Sequence, residues 1–382
     1  MIRFGMLSAF VHLYVALRLL PGVAGAAGLA AAASLGALLA VSAWMVPRSM
    51  RRPRGPRSAA QRRRADGLAW LGMGLMGWFS SLFVLTVLRD AVLLPAAIVR
   101  LAGVPALPIP WVDASAAGVV VLAAAATLAG LWNARRPARV KAVDVPIPGL
   151  PPVLQGFRIA QISDLHVGPT IKRAWLQRVV DAVNRLDADV VAVTGDLVDG
   201  SVAELAEHVA PLAQLRSRHG SFFVTGNHEY YSGAEPWIAH LRRLGLRVLM
   251  NEHVVLTHQR APLVLAGVAD WSAHHFEPEH RSDPHRAVAG APDAAIKVLL
   301  AHQPRSARAA AEAGFHLQLS GHTHGGQFLP WNFFVRFQQP FTAGLHRLGN
   351  LLVYTSRGTG YWGPPKRLGA PSEITHLRLV AA

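Results

Sequence analysis

The chain has 382 residues, 52% of them hydrophobic and only 16% charged, with a mean hydropathy of +0.28. That is too apolar for a chain that meets only water, and far too apolar for disorder. The formal net charge of +16 divides unevenly, +13 in residues 1–141 against +3 in 142–382, which disfavours a basic nucleic-acid-binding face on the second part. Cysteine is absent, so disulfides and thiolate metal sites are excluded. Lysine supplies only four of the 38 basic residues and alanine is abundant, a composition that points to a high-GC bacterial genome.

Four apolar runs open the chain. Residues 23–46, 68–88 and 114–132 carry no charge, and 4–20 carries only His12 and Arg18. A helix of about 20 residues crosses the hydrocarbon core. All four are read as spans, the first in preference to a signal peptide with small residues at 24–27. Residues 91–112 are apolar too, but hold Arg100, Pro95, Pro105, Pro108 and Pro110, which reads as an interfacial or re-entrant segment. The loop 48–64 carries eight arginines (Arg48, Arg51, Arg52, Arg54, Arg57, Arg62, Arg63 and Arg64), and Arg135, Arg136, Arg139 and Lys141 follow the last span. Both clusters read as cytoplasmic. The expectation is a transmembrane region over 1–141, multi-pass in a bacterial inner membrane, with the rest of the chain in the cytoplasm. If 91–112 also crosses, that remainder lies outside and the second cluster breaks the rule. Membrane lipids are the first expected partner, through anionic headgroups.

Residues 142–154 are proline-rich and read as a linker. From 155 to 382, β-branched runs alternate with amphipathic stretches, which predicts one α/β catalytic domain. Strands are expected at 157–162, 190–194, 221–225, 263–268, 297–301, 316–320, 351–356 and 374–380. Helices are expected at 173–186, 203–218, 235–244 and 304–313. The first places Trp175, Leu176, Val179, Val180 and Val183 on one face.

Chemistry-bearing residues fall just after these strands, where open α/β sheets place their sites. They are Ser163-Asp164-Leu165-His166, Gly195-Asp196-Leu197-Val198-Asp199, Gly226-Asn227-His228-Glu229, His302-Gln303-Pro304 and Gly321-His322-Thr323-His324-Gly325-Gly326. One Asp or His in a loop is usually a turn or cap residue. Five such blocks in series, holding three Asp, one Asn and five His, exceed what a fold requires. Oxygen and imidazole donors without sulfur suit Mn, Fe or Zn. Alternate residues in Asp164-x-His166 and His322-x-His324 can face one cavity in extended backbone.

In this order over 157–326, the blocks resemble the calcineurin-like metallophosphoesterase superfamily. Their wording is most similar to its YkuE/YaeI-type branch, as are Ser356-Arg357-Gly358-Thr359-Gly360 and Pro371-Ser372-Glu373-Ile374. The resemblance implies a layered α/β sandwich, central β-sheets flanked by helices, preceded here by an all-α transmembrane region. It implies two divalent metal ions. Asp164, His166, Asp196 and His324 would hold one, Asp196 would bridge, and Asn227, His302 and His322 would complete the other. His228 would act on the phosphoryl group or leaving oxygen, with Asp199 and Glu229 as supports and not ligands. Two metals about 3.5–4 Å apart can share a hydroxide and clamp an in-line displacement at phosphorus. An imidazole tuned near neutral pH can serve the leaving oxygen.

The expected activity is therefore hydrolysis of a phosphoester or pyrophosphate by a membrane-anchored enzyme. The anchor points to a lipid-linked substrate, and one relative type cleaves the pyrophosphate of UDP-diacylglucosamine. The competing reading is a non-catalytic metal-binding scaffold of the same fold, against which the intact ligand set and His228 stand. A transporter or sensor is disfavoured because the spans hold few ionisable groups. Two segments stay open. The loop 273–286, with His274, His275, His280 and His285, reads as a lid or substrate-facing insert more than a third metal site. Trp331, Phe333, Phe334, Phe337 and Phe341, with Arg336, form an insert suited either to core packing or to acyl-chain or bilayer contact.

Overall fold

The computed structural model describes residues 2–50, 58–101, 108–293 and 295–382. The chain forms two compact units, Met1–Trp132 with Gly363–Lys366, and Asn133–Trp362 with Arg367–Ala382.

The first unit is helical: α1 (Ile2–Ala27), α2 (Leu29–Ser49), α3 (Ala59–Leu101) and α4, which runs over Ile109–Arg135. The stretches Gly5–Ala27, Leu29–Ser49, Ala60–Val99 and Pro110–Arg135 are each long and apolar enough to cross a membrane. Leu17, Val92, Leu122 and Leu128 are exposed on the helix surfaces, as lipid-facing residues are. The helices outrun the expected spans because their polar residues find partners within the unit. His12 Nδ1 donates to Ser8 O at 2.7 Å, Arg18 Nε donates to Asp90 Oδ2 at 2.8 Å, and Arg89 Nε donates to Ser115 Oγ at 2.8 Å. Lys366 Nζ, from Gly363–Lys366, donates to Gly77 O at 2.9 Å and also to Ser81 Oγ. The interfacial reading of 91–112 fails for its first half. α3 continues through Pro95 to Leu101, a proline that apolar helices tolerate where neighbours re-satisfy the backbone. Residues 102–107 lie outside the described residues, as do Arg51, Arg52, Arg54 and Arg57.

The second unit holds twelve strands: β1 (Arg139–Ile147), β2 (Arg158–Ile162), β3 (Val190–Val193), β4 (Ser221–Phe223), β5 (Arg247–Val248), β6 (Glu252–His258), β7 (Ala261–Gly267), β8 (Ile296–Leu300), β9 (Leu317–Ser320), β10 (Gly344–Leu348), β11 (Leu351–Thr355) and β12 (Glu373–Ala381). They make two six-stranded sheets, ordered β1-β12-β2-β3-β4-β5 and β10-β11-β9-β8-β7-β6. The segment read as a linker is corrected here. Its first half lies in β1, which pairs in parallel with β12, while Val145 and Ile147 are buried between the sheets. Pro146 is compatible with this because β1 is an edge strand, where a missing N–H is tolerated.

Alternation along the strands builds the layers. Val190 and Ala192 of β3 face the core between the sheets. Val191 and Val193 face the outer core, to which α5 (Arg173–Asn184), α6 (Val202–Val209) and α8 (Ala234–Arg243) contribute, with α7 (Asn227–Ser232) preceding α8. Each such buried aliphatic side chain contributes about 1.5–3 kcal/mol. The second sheet carries α9 (Pro284–Val288) and α10 (Ala307–Glu312) over its own outer core, and α11 (Trp331–Phe334) follows β9. The result is the expected layered α/β sandwich. The helix expected over 203–218 stops at Val209 and passes into a 3-10 turn, Ala210–Gln214, where Pro211 cannot continue the α-helical hydrogen bonding.

Candidate metal centre

The parallel strands β2, β3 and β4 of one sheet, and β8 and β9 of the other, deliver their exit loops to one place. Asp164 N donates to Gly195 O at 3.0 Å and His166 N to Asp196 O at 3.1 Å, which ties the first two loops together. The Glu229 carboxylate accepts from the backbone N–H groups of Gly226 (2.7 Å), Leu197 (2.8 Å) and Asp196 (3.0 Å), which adds the third. His322 N donates to Asp164 Oδ1 at 2.9 Å, which adds the fifth. The fit is close at Gly321, where a Cβ would lie 2.0 Å from Ser163 Oγ and 2.2 Å from Asp164 Oδ2. Asp164, His166, Asp196, His322 and His324 all have φ between 49° and 70°. That left-handed backbone is unfavourable for residues with a Cβ, and such strain gathers at functional sites.

Three groups of donor atoms result, each with all atoms within 4.8 Å of one another: Asp164, His166 and His324; His166, Asp196 and His228; Asp196, His302 and His322. His166 Nε2 and His324 Nε2 face each other at 3.0 Å, and Asp164 Oδ1 lies 3.5 Å from His324 Nε2. His302 Nε2 lies 3.2 Å from Asp196 Oδ2 and 3.3 Å from His322 Nδ1. Asn227 opens α7, with its side chain buried.

These residues fit a cation on two observations. Asp164 Oδ2 and Asn227 Oδ1 are buried with no hydrogen-bond partner among the described residues, an arrangement that costs about 1–3 kcal/mol for each group left unmet. His302 Nδ1 lies 2.8 Å from Thr194 O, and a carbonyl only accepts, so Nδ1 donates. Nε2 is then the nitrogen turned to the centre, the one that gives up its proton when a cation binds, as a metal-ligating imidazole requires.

Charge is strongly coupled here. Burial opposes ionisation of Asp196, yet His302 and His228 hold its carboxyl well below the usual carboxylate range. Burial opposes protonation of His228, but Asp196 and the hydrogen-bonded Asp199 carry it up to about 9. Burial and the adjacent Arg367 guanidinium keep His324 well below its ordinary value. Burial and His302 hold His322 down at about 3. In the cation-free chain the two histidines of the fifth loop are thus disposed to be neutral, whereas Asp196 raises His302 well above its ordinary value against burial, so His302 and His228 are the rings disposed to carry a proton. Asp199 Oδ1 sits 2.5 Å from His228 Nδ1 and supports that ring, while Glu229 accepts from backbone N–H groups.

Sequence reasoning missed Arg367. Its guanidinium is fully buried, lies 3.1 Å from His324 Nδ1, and donates to the carbonyls of His324 (3.0 Å) and Arg357 (2.7 Å). A lone arginine in a late loop carries no spacing signal that could have marked it. Thr359 N donates to Ser163 O at 2.7 Å and Gly360 N to Asp164 O at 3.0 Å, so the later Ser-Arg-Gly-Thr-Gly block braces the Asp164 loop. Asp270, also unforeseen, is buried and accepts from Gln303 Nε2 at 3.1 Å beside His302. The histidine-rich loop offers no metal-type cluster among the described residues. His280 lies 3.0 Å from Tyr230 Oη and 3.2 Å from Glu235, holding the loop against α7 and α8.

Residues 157–326 match the calcineurin-like phosphoesterase family, and the relatives below, one of them 35% identical over 68% of its length, show that the chain belongs to the metallophosphoesterases. It is 40% identical over 271 residues to a Danio rerio transmembrane protein with a metallophosphoesterase domain, a match covering 69% of this chain and 62% of that one. It is 35% identical over 263 residues to an uncharacterised metallophosphoesterase of Campylobacter jejuni, covering 68% of each. The Bacillus subtilis metallophosphoesterase YkuE is 28% identical over 238 residues, covering 60% of this chain and 81% of that one. The match thus spans under two thirds of the Danio rerio protein. The four apolar helices and the transmembrane relatives make this a membrane protein.

Proposed function

We propose that the chain is a membrane-anchored, dinuclear-metal-dependent phosphoesterase that hydrolyses a phosphoester or pyrophosphate bond. The observation that carries this reading is the sharing of Asp196 between two donor groups, one with His166 and His228 and one with His302 and His322, while His166 is shared in turn with the group of Asp164 and His324. In this account Asp164, His166, Asp196 and His324 hold one divalent cation, and Asp196, Asn227, His302 and His322 hold the other. Bound there, Mn, Fe or Zn ions supply Lewis acidity at the phosphoryl oxygens and activate water near neutral pH.

The protein's own part follows from its side chains. The Asp199 carboxylate, 2.5 Å from His228 Nδ1, accepts the proton of that nitrogen and fixes the ring. His228 Nε2 is left 4.0 Å from Asp196 Oδ2, on the side of the shared carboxylate. From there it donates a hydrogen bond, then a proton, to the leaving oxygen. His302, held by Thr194 O, keeps Nε2 turned toward Asp196 and His322. Arg367 fixes His324 and opposes its protonation.

The substrate in this account is lipid-linked and meets the enzyme at a bacterial inner membrane. The four helices support the anchor, and Arg135, Arg136, Arg139 and Lys141 support a cytoplasmic catalytic unit. The test uses full-length protein in detergent, stripped of metal and then given Mn²⁺, with an aryl phosphoester as substrate. Hydrolysis should return with the cation and stop with chelator. Asp196→Asn should lower kcat/KM by more than about 100-fold, beyond the effect of losing an outer hydrogen-bond partner of a metal site. A variant that keeps full rate refutes the shared-carboxylate centre.

A further inference from the structure

The segment after the fifth loop has an unusual surface. Leu329, Trp331, Phe333, Phe334 and Phe337 are 41%, 42%, 58%, 53% and 74% exposed. α11 and the 3-10 turn Val335–Phe337 set Trp331, Phe334 and Phe337 three residues apart, and their rings follow one another at 5.9 and 6.5 Å. This is no loose loop. A Cβ on Gly326 would lie 2.1 Å from Asn332 Cα, so the helix is seated against the loop that carries His322 and His324. Beyond it, Arg305 Nε donates to Gln338 O at 3.0 Å, Gln339 Nε2 donates to Gln303 Oε1 at 3.1 Å, and Thr323 Oγ1 donates to Thr342 O at 2.6 Å. The backbone is fixed at both ends while the aromatic rings point outward.

We propose that this segment is a monotopic wedge that inserts its aromatic side chains into the bilayer and presents the metal centre to phosphoesters carrying an acyl or alkyl chain. Charge favours a membrane as the occupant. No acidic residue falls between Glu312 and Glu373, whereas Arg336 and Arg347 are exposed, a pattern complementary to anionic headgroups. Tryptophan and phenylalanine beside an exposed arginine, here Arg336 in the 3-10 turn, are side chains that settle at a membrane interface. The four apolar helices of the same chain keep a bilayer present at high effective concentration. The aromatic surface also leads to the centre. Gln327 Nε2 donates to Trp362 O at 2.9 Å and Trp362 N to Gln327 Oε1 at 2.8 Å, and the half-exposed Trp362 ring lies 5.9 Å from that of His228. The substrate-delivery half of the proposal rests on the hydrolase reading above; the contact half does not.

The absence of cysteine makes depth directly measurable. Full-length Phe337→Cys and, as a control, Glu312→Cys are labelled with a polarity-sensitive fluorophore in vesicles of phosphatidylglycerol and phosphatidylethanolamine. The label at 337 should be quenched by lipids with spin-labelled acyl chains and shielded from aqueous iodide, and the label at 312 should show the reverse. Equal iodide access at both overturns the contact. Shielding at 337 from both quenchers marks a protein occupant, a second copy included, and overturns it as well. For delivery, the methyl and hexadecyl esters of p-nitrophenyl phosphate present the same scissile bond. The hexadecyl ester in the vesicles should show at least tenfold higher kcat/KM. Phe334→Ser/Phe337→Ser should erase that preference and leave the methyl ester rate unchanged. A preference that survives the double variant overturns delivery by the wedge. Inertness toward both esters in protein that hydrolyses the aryl phosphoester, with the 337 label at acyl depth, upholds the contact and overturns the delivery of alkyl phosphoesters; inertness toward all three substrates with Mn²⁺ present overturns the hydrolase reading.

Discussion

Asp196 faces three imidazoles, at 3.2 Å from His302, 3.8 Å from His166 and 4.0 Å from His228. A buried carboxylate so surrounded is held ionised, and it in turn favours the protonated ring of His228. His228→Ala should lower turnover by about 10²-fold, the usual scale of lost acid–base help, with bound metal unchanged. Undiminished turnover removes His228 from the mechanism. In the cation-free chain, the pair of His228 and Asp199 also predicts a pH dependence of stability. His228 rises from 6.5 to about 9 on folding, so its contribution is full below 6.5 and is lost as pH climbs through about 9. Asp199→Asn should shrink the fall in melting temperature between those two pH values, measured on metal-stripped protein. A fall of undiminished size contradicts the assignment of that shift to Asp199.

At the level of elements, the strands that carry the site were readable because β-branched runs end in Asp, Asn, His or Gly. β2, β3, β4, β8 and β9 lie within a residue or two of where Phe157, Val190, Ser221, Lys297 and His316 open their runs. The strands that escaped the reading have other signatures. β6 interleaves Glu252, His253, Thr257 and His258 with only Val254 and Leu256 as buried apolar residues, so its pattern resembles a polar loop. β1 is interrupted by Pro146 and is a strand only because β12, more than 200 residues on, pairs with it. No local signal announces that pairing. For the site, the ligand types were legible in the loops, but Arg367 and Asp270 were not, because their roles depend on tertiary contact alone. The density of packing among the loops gives its own test. Gly321→Ala would force a methyl group into Ser163 and Asp164. It should weaken metal binding by at least about tenfold, within the range seen when the outer support of a metal site is removed, and leave the circular dichroism spectrum unchanged. Native metal affinity in that variant contradicts the close approach.

Across the whole molecule, composition divides where the structure does. Residues 1–141 carry +13 of the +16 net charge, and four apolar helices account for most of that stretch. The arginine clusters predict that a fluorescent reporter fused after Ala382 matures in the cytoplasm, while an alkaline phosphatase fused there stays inactive. Active phosphatase contradicts the orientation. Neither result bears on whether the catalytic unit binds a pair of cations, which is the claim the mechanism depends on. The most direct measurement is elemental analysis of purified full-length protein and of its Asp196→Asn variant. The account predicts two equivalents of divalent transition metal per native chain and less than one in the variant. A fully active native chain holding one equivalent or none, or a variant that retains both, contradicts it.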